Sequence, residues 1–313
     1  MNAQDNIQAA LNEFKKLPGG KTAYRIYGFE GYPDFKDQEE DSLFCASAFK
    51  VFVLAAYLHY AEKGELPGQQ SQGSYPENLA AALNEELAVE PSDHTQGSPV
   101  FGNLTGKTTA KAILEAMIAY SDNTATDIAM KRVGVDNVRA FMRDVARLDE
   151  KSVRIPDSTK SFYNYLDQEP QSEHHLINTS QTMVCTASEF ASFYSRAYWG
   201  LSFLQTDETR REFKRFLSTA DAIPQAIPEN MSCYMKGGSA NWPPTGEHAM
   251  AAAGTTVLVQ TIRDQTVRLG SPVSFALLYN WTGPNNWESG VSAYIEACKK
   301  VFNAIAEYVP PVE

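Results

Sequence analysis

A serine and a lysine, three positions apart, stand at the start of the most apolar stretch of the chain. Ser47 and Lys50 precede an almost unbroken apolar run, Val51–Leu58. Residues three apart lie on the same side of a helix, so the hydroxyl and the amine are neighbours. Burial in such a helix disfavours the charged form of a lysine. The pair is a candidate nucleophile with its base, although a serine N-cap followed by a lysine that reaches solvent has the same spacing.

Two other short motifs carry residues of the same chemical kind. Ser121-Asp122-Asn123 lies at a junction between two predicted helices, where all three residue types also serve as ordinary N-caps. Lys236-Gly237-Gly238-Ser239 follows a β-like run, and by itself predicts only a strand that ends in a turn. Taken singly, each motif favours the structural explanation over a catalytic one.

The three motifs in this order resemble those of the penicillin-recognising serine hydrolases, and of class A β-lactamases in particular. The likeness covers most of the chain, from the first helix to the last. It rests on residues 44–51, which are similar to the active-site helix of that family, and on residues 121–127, followed by Val133-Gly134, which match its second motif closely. The resemblance implies an acyl-enzyme mechanism on a β-lactam or a related acyl substrate.

The same resemblance implies catalytic roles for four side chains. Ser47 would attack the carbonyl carbon, and Lys50 would take its proton directly or through water. Ser121 would pass a proton to the leaving nitrogen, with Lys236 holding that hydroxyl in a positive field. A nucleophile, a base and a donor for the leaving group form a chemically complete set.

Substrate-binding roles follow for a second group. Asn123 would hydrogen-bond the amide of the substrate's side chain. The backbone N–H groups of Ser47 and Ser239 would form the oxyanion hole, with Gly238 beside them. Each donor of this kind typically contributes on the order of 3 kcal/mol to the transition state.

The third motif departs from the family pattern. Gly237 stands where the family usually has Thr or Ser, whose hydroxyl helps to hold the substrate carboxylate. Ser239 could replace it in part. The family's arginine on the following strand is not evident. His248 is a candidate substitute there, and a surface role for it is equally consistent with the sequence.

The long loop departs as well. Class A enzymes carry Glu-x-x-Leu-Asn in it, and that glutamate activates the water that releases the acyl group. The corresponding stretch, 155–166, contains no glutamate. Asp157, Glu169 and Glu173 are the nearest carboxylates, and none fits the pattern. We expect acylation to be retained and deacylation of a β-lactam to be slow.

The predicted elements must bring these motifs together. Helices are expected at 2–17, 47–58, 77–87, 110–120, 124–134, 138–148, 186–198 and 292–308, and strands at 22–29, 231–235, 249–261 and 273–279. Residues 155–185 are expected to form a long ordered loop. The fold class is α+β, an antiparallel sheet flanked by helices with an inserted all-helical domain, as in β-lactamases and transpeptidases. We expect a sheet domain from residues 1–45 and 205–313, and a helical domain from 46–204.

Composition narrows the classes of function. The chain has 313 residues, a formal net charge of −11 and no basic block, which argues against a nucleic-acid surface and against adhesion to anionic lipid. Cys45, Cys185, Cys233 and Cys298 form neither a zinc-ribbon pattern nor a disulfide framework. His174-His175 is the only histidine cluster, and adjacent residues rarely converge on one metal. We therefore expect no metal and no cofactor. The family resemblance implies a small-molecule substrate, and we expect a monomer.

Three functions remain open at this point. The first is a β-lactamase-type serine hydrolase acting through an acyl-enzyme on a cyclic amide or a related acyl substrate. The second is a penicillin-binding D,D-peptidase, or a biosynthetic acyl hydrolase or acyltransferase. The third is a homologue that binds a ligand without turnover. The segment 2–17 lacks the apolar core of a signal peptide. A cytoplasmic protein, or a periplasmic or secreted one from which a leader was removed, are both consistent with the sequence.

Overall fold

The computed structural model describes residues 3–28, 34–199, 203–220, 223–262, 265–268, 272–283 and 286–308. Its main sheet has six antiparallel strands in the order β2-β1-β10-β8-β7, and β9 pairs with β8. The strands are β1 (Gly20–Gly28), β2 (Phe35–Asp37), β7 (Met231–Trp242), β8 (Glu247–Ile262), β9 (Gln265–Arg268) and β10 (Val273–Thr282). Two small ribbons pair β3 (Leu43–Phe44) with β6 (Val184–Cys185), and β4 (Glu86–Val89) with β5 (Gly106–Thr109).

Ten α-helices lie in the described part of the chain. They are α1 (Ala3–Phe14), α2 (Lys50–Lys63), α3 (Tyr75–Asn84), α4 (Ala110–Ala119), α5 (Asn123–Val133), α6 (Val135–Ala140), α7 (Thr159–Leu166), α8 (Ala187–Trp199), α9 (Asp207–Ser218) and α10 (Trp287–Ala306). α2 is buried along nearly its whole length, as its apolar run predicts. The predicted antiparallel sheet flanked by helices is confirmed.

The sheet separates two apolar clusters. On β10, Phe275 and Leu277 face the terminal helices α1 and α10, whereas Ala276 and Leu278 face the helical side. This alternation follows from the two-residue period of a strand. The sheet therefore needs both ends of the chain, because β1 lies between β2 and β10. The division into domains at residues 45/46 and 204/205 stays a prediction.

Several predicted elements differ from the observed ones. The strand expected to end at Met235 continues to Trp242, because it pairs with β8 along its whole length. The helix expected at 77–87 ends at Asn84, and β4 follows. The helix expected at 138–148 is α6 followed by a π-helical turn, Phe141–Val145. The loop expected at 155–185 contains α7, whose N-cap is Ser158.

Parts of the predictions lie outside the described residues. Asn2, in the first predicted helix, and Phe29, at the end of the first predicted strand, belong to this group. Among the described residues, no helix combines the length and the apolar character that crossing a bilayer requires.

Candidate active site

Ser47 lies in a tight turn immediately before α2. The turn is a 3₁₀ helix, Ala46–Phe49, and Ala46 has φ of 45°. A left-handed conformation costs a residue with a Cβ on the order of 1 kcal/mol, so the surrounding contacts must hold it. Ser47 is half-buried and lines a cavity, whereas its neighbours Ala48 and Phe49 are fully buried. The strained turn thus presents one hydroxyl at the surface of a rigid, buried helix.

Lys50 begins α2, and its side chain is 0% exposed. Its Nζ donates to the carbonyl oxygen of Ser121 at 2.5 Å and to Oδ1 of Asn123 at 2.7 Å. Burial lowers the pKa of Lys50 well below its usual value, and the nearby charge of Lys236 lowers it further. An uncharged amine has two N–H groups and one lone pair. Because the two oxygens take both N–H groups, the lone pair remains for a proton from a hydroxyl.

Ser121 lies between two lysines. Its Oγ is 3.4 Å from Nζ of Lys50 and accepts a hydrogen bond of 3.1 Å from Nζ of Lys236. Its φ of 57° is left-handed, and this turn between α4 and α5 directs its carbonyl towards Lys50. A hydroxyl held by one donor and close to one basic nitrogen can pass a proton in either direction.

The turn that carries Ser121 is anchored by Asp122, which is fully buried. One carboxylate oxygen caps α5 by accepting from the N–H of Ala125 at 2.8 Å. The other accepts from the N–H groups of Val100 and Phe101, at 2.8 and 2.9 Å. The carboxylate therefore ties the 95–101 loop to the start of α5, and it acts as a positioning residue rather than as a proton carrier.

Lys236 lies on β7, the edge strand of the sheet, and is 4% exposed. Its Nζ also donates to the carbonyl oxygen of Gly237 at 2.8 Å. Burial lowers the pKa of Lys236 to about 7. Lys236 thus loses its proton at a lower pH than a surface lysine does, because few polar groups replace the hydration that the buried ammonium loses.

Gly238 brings the backbone of β7 against the Ser47 turn. A Cβ at this position would lie 2.2 Å from the carbonyl oxygen of Cys45 and 2.7 Å from the nitrogens of Ser47 and Ala48. Only glycine permits so close an approach. Ser239 is exposed and lines the same cavity as Ser47, on an edge strand where half of the N–H groups point away from the sheet.

The reaction cavity, as we name it, contains Ser47, Asn123 and Ser239 and has a volume of about 140 Å³. Its remaining walls are mostly apolar or aromatic: Phe44, Ala46, Phe162, Tyr163, Leu166, Leu176, Met183, Ala240, Asn241 and Trp242. No aspartate or glutamate is among these described residues. Water that reaches an acyl group on Ser47 therefore meets no carboxylate in this cavity.

Helix α7 supplies the wall opposite β7. Asp127 holds the start of this helix by accepting from the N–H and the Oγ1 of Thr159, at 2.6 and 2.8 Å, and from the N–H of Lys160 at 3.0 Å. The hydroxyl oxygen of Tyr163 accepts a hydrogen bond of 3.4 Å from Nδ2 of Asn123. Burial raises the pKa of the Tyr163 phenol, so the group is a neutral donor at neutral pH.

The three loop carboxylates do not line the reaction cavity. Asp157 forms an ion pair with Arg139 at 2.7 Å, and its side chain is 53% exposed. Glu169 and Glu173 are exposed. Each is a surface carboxylate in the structure, because the chain folds the aromatic residues of α7 inwards instead.

His248 lies away from Ser47. It pairs across the β7–β8 hairpin with Asn241, three positions beyond Gly238, and its ring packs on Trp281 and Trp287 on the terminal-helix side of the sheet. The hairpin is longer than expected, so His248 is too far along the strand to stand in for an arginine beside Lys236. Within the described ranges, no group of three or more His, Cys, Asp and Glu side chains could hold a metal ion.

Comparison with known proteins identifies the family of the chain. The sequence profile of the "Beta-lactamase enzyme family" matches residues 2–256. The chain belongs to this family. No curated protein matches the chain at a significant level of sequence similarity.

Solved structures of the family share the fold over almost the whole chain. A class A β-lactamase from Bacteroides cellulosilyticus is 15% identical, with a TM-score of 0.72 and coverage of 98% of this chain and 100% of that one. The chromosome-encoded β-lactamase of Vibrio parahaemolyticus is 15% identical, with a TM-score of 0.70 and coverage of 96% and 100%. A mutant of PBP-A, solved as an acyl-enzyme with penicillin G, is 14% identical, with a TM-score of 0.66 and coverage of 97% of each chain. The expected β-lactamase/transpeptidase-like fold is confirmed, and family membership makes the chain a serine hydrolase of the β-lactamase type.

Sequence reasoning missed several residues that shape the site. Tyr163 and Phe162 line the reaction cavity from a segment that the sequence predicts as loop, and Trp242 extends the opposite wall. The aromatic run Phe162–Leu166 contained the signal, since exposed loops seldom carry so many large apolar side chains.

Proposed function

We propose that this member of the family forms an acyl-enzyme on Ser47 with β-lactams or related acyl substrates, and that it releases the acyl group slowly. One observation carries the proposal. Lys50, Ser121 and Lys236 form one hydrogen-bonded set beside the reaction cavity, while no carboxylate lines that cavity among the described residues. The set supplies the proton acceptor and the proton donor that acylation needs, and the cavity lacks the general base that deacylation needs.

In the acylation step, Oγ of Ser47 bonds to the carbonyl carbon and its proton moves to the lone pair of Lys50. The negative charge on the substrate oxygen is stabilised by the N–H groups of Ser47 and Ser239. The C–N bond then breaks, and Ser121 gives its proton to the leaving nitrogen. Lys50 returns a proton to Ser121, so every group but the acylated Ser47 regains its starting state.

Deacylation requires a water molecule that loses a proton as it attacks the ester. Tyr163 lies beside Asn123 on the cavity wall, but its protonated phenol cannot accept that proton at neutral pH. General-base catalysis typically contributes about 10²–10⁴-fold, which sets the scale of the expected loss. The acyl-enzyme should therefore accumulate.

Mass spectrometry of the intact protein tests this proposal. After mixing with penicillin G, we expect the protein to gain the mass of one penicillin and to keep it for many minutes. Ser47→Ala is the matched control and should gain nothing. Rapid return to the unmodified mass, with the penicillin consumed, would contradict slow deacylation. The absence of any adduct in the unsubstituted protein would contradict the acylation step itself.

A second candidate is a penicillin-binding D,D-peptidase. The cavity without a carboxylate favours it, because slow release of β-lactams does not impair transfer of a natural acyl group to an amine. Release of D-alanine from an acyl-D-alanyl-D-alanine peptide, absent in Ser47→Ala, would identify this activity. If the chain binds these compounds without a covalent adduct, the non-hydrolytic alternative gains support.

A further inference from the structure

The side-chain amide of Asn123 has both of its N–H groups bonded within the protein. Its Nδ2 donates to the carbonyl oxygen of Gln96 at 2.7 Å and to the hydroxyl oxygen of Tyr163 at 3.4 Å. Its Oδ1 accepts from Nζ of Lys50 at 2.7 Å. A carboxamide has two N–H groups, so these contacts leave none of them for a substrate.

The surrounding backbone keeps the amide in this orientation. Asn123 is 6% exposed. Gly97 has φ of 74°, and a Cβ at this position would lie 2.6 Å from Nδ2 of Asn123, so the loop lies directly against the amide. Turning the amide towards a substrate would break its bonds to Gln96 and Lys50. A buried polar group that loses its partner typically costs about 1–3 kcal/mol, which opposes such a rotation.

Tyr163 has a donor that the protein does not use. Its hydroxyl oxygen accepts from Asn123, and a hydroxyl that accepts one bond can still donate its own proton. No acceptor for that proton lies among the described residues. Burial raises the pKa of the phenol, so the O–H is present at neutral pH. Since Tyr163 lines the reaction cavity, a ligand bound there can accept this hydrogen bond.

The phenol is held in place before a ligand binds. The ring of Tyr163 packs edge to face on Phe162, with ring centroids 5.7 Å apart, and Phe162 stacks on Phe44 at 5.5 Å. Asp127 fixes the start of α7, one turn before Tyr163. A donor on such a support loses little conformational entropy on binding. Phe44 and Phe162 also line the cavity, so a ligand group near the phenol has aromatic neighbours.

We propose that Tyr163, rather than Asn123, recognises the acyl side of the substrate, and that its O–H donates to a carbonyl oxygen or an equivalent acceptor on the group attached to Ser47. The proposal rests on the proposed function, because it assumes that the acyl carbon is bonded to Ser47. It narrows the substrate class to acyl groups that carry such an acceptor next to an apolar or aromatic group. Asn123 is then a positioning residue that holds Lys50 and Tyr163.

Two boronic acids test this assignment without a leaving group. Phenylacetamidomethylboronic acid has a side-chain amide, and 4-phenylbutylboronic acid has a chain of the same length without it. In each complex the boron bonds to Oγ of Ser47, whose proton moves to Lys50, and the boron keeps both of its hydroxyls. Calorimetry measures the two Kd values, and their ratio gives the preference for the amide. We expect Tyr163→Phe to lower this preference about fivefold, as the loss of one net hydrogen bond allows.

Tyr165→Phe is the matched control. It removes a hydroxyl from another half-buried tyrosine of α7, whose ring packs on His174 and which is not among the residues that line the reaction cavity. The preference should therefore stay the same. An intrinsic difference in reactivity between the two boronic acids is common to all variants and cancels. If Asn123 were the substrate donor, Tyr163→Phe would free one of its N–H groups, and the preference would stay or rise.

An unchanged preference in a Tyr163→Phe variant that circular dichroism shows to be folded would overturn the assignment. So would an equal loss in Tyr165→Phe, or the absence of binding by either boronic acid. The penicillin G adduct tests the proposed function separately. If no adduct forms but Tyr163→Phe lowers the preference, the proposed function fails and recognition by Tyr163 stands. If the adduct forms and the preference does not change, recognition by Tyr163 fails and the proposed function stands.

Discussion

The phenol of Tyr163 lines the reaction cavity that also contains Ser47. It is 3.4 Å from Nδ2 of Asn123, whose Oδ1 accepts from Lys50. Asn123 thus contacts both Tyr163 and Lys50, the proposed base. The identity of residue 163 should set the lifetime of the acyl-enzyme.

Tyr163→Glu should shorten that lifetime. A carboxylate next to Asn123 could take a proton from water, and we expect release of the penicilloyl group to accelerate about hundredfold, the lower end of the usual range of general-base catalysis, about 10²–10⁴-fold. Tyr163→Gln is the matched control, because it has the same length and no basic oxygen. The measurement is the decay of the adduct mass with time. Equal decay in the two variants would show that position 163 does not govern release.

The proposed role of Lys236 makes acylation sensitive to pH. Burial lowers the pKa of Lys236 to about 7, so the positive field at Ser121 weakens as the pH rises through 7. We expect the acylation rate to fall as the pH rises through 7. The Lys236→Arg variant should acylate more slowly but should lose this pH dependence, since a guanidinium keeps its charge.

The contribution of Lys236 to the free energy of unfolding should rise over the pH range in which acylation falls. This difference separates the effect from unfolding at alkaline pH. In the unfolded chain the lysine keeps its proton up to a pKa of about 10.4, whereas in the folded protein it loses it near 7. The unfolded state therefore binds more protons between these values, and the contribution of Lys236 to stability rises with pH. A parallel fall of acylation and melting temperature between pH 7 and pH 9 would contradict the assignment.

At the scale of elements, β7 packs against the Ser47 turn so closely at Gly238 that no Cβ fits there. Gly238→Ala would drive a methyl group into the backbone of Cys45 and Ser47. We expect a loss of roughly 1–3 kcal/mol in the free energy of unfolding. Acylation should slow on the order of hundredfold, because the proposed oxyanion donors move apart. Ser232→Ala, near the start of the same strand, should change neither quantity in urea unfolding and adduct-formation assays.

Helix α7 depends on one half-buried carboxylate. Asp127 accepts hydrogen bonds from Thr159, Lys160 and Thr95. Asp127→Ala leaves these donors without a partner and should cost about 3 kcal/mol, which is typical when buried donors lose their acceptor. Asp157→Asn, which breaks only an exposed ion pair on the same loop, should cost less than about 1 kcal/mol. Chemical unfolding measures both, and similar losses would mean that α7 is not held in this way.

The sequence predicted those parts of the site whose residues belong to one helix or strand. The spacing of Ser47 and Lys50 and the apolar run after them predicted the buried helix, and the fold class followed from the order of strands and helices. The length of β7 and the presence of α7 were not predictable. Both depend on partners distant in sequence: β7 extends because Glu247–Ala249 pair with it, and α7 forms over the carboxylate of Asp127. Local patterns do not contain such tertiary contacts.

At the scale of the whole molecule, the chain holds its two apolar clusters together without a disulfide among the described cysteines. Three of the four cysteines are buried, and Cys233 is half-buried. Burial raises the pKa of Cys45 and of Cys298, which keeps these thiols protonated and unreactive.

We therefore expect the melting temperature to be the same with and without dithiothreitol. A thiol reagent should modify the native protein slowly and mainly at Cys233, and should modify all four cysteines of the chain once the protein is unfolded in guanidinium. Counting the modified thiols by mass spectrometry gives the result. Fewer than four modified thiols in the unfolded, unreduced chain would reveal a disulfide.

The left-handed backbone of Ala46 has a consequence for how this protein can change under selection. Glycine adopts that conformation without the steric cost, but it also widens the range of the unfolded chain. Ala46→Gly would thus remove the steric cost at this residue, but it would raise the conformational entropy of the unfolded chain and loosen the turn that positions Ser47. A screen for heat resistance alone could select Ala46→Gly, whereas a screen for reactivity at Ser47 would reject it. The strain at this residue is therefore a place where selection for stability and selection for activity favour different residues.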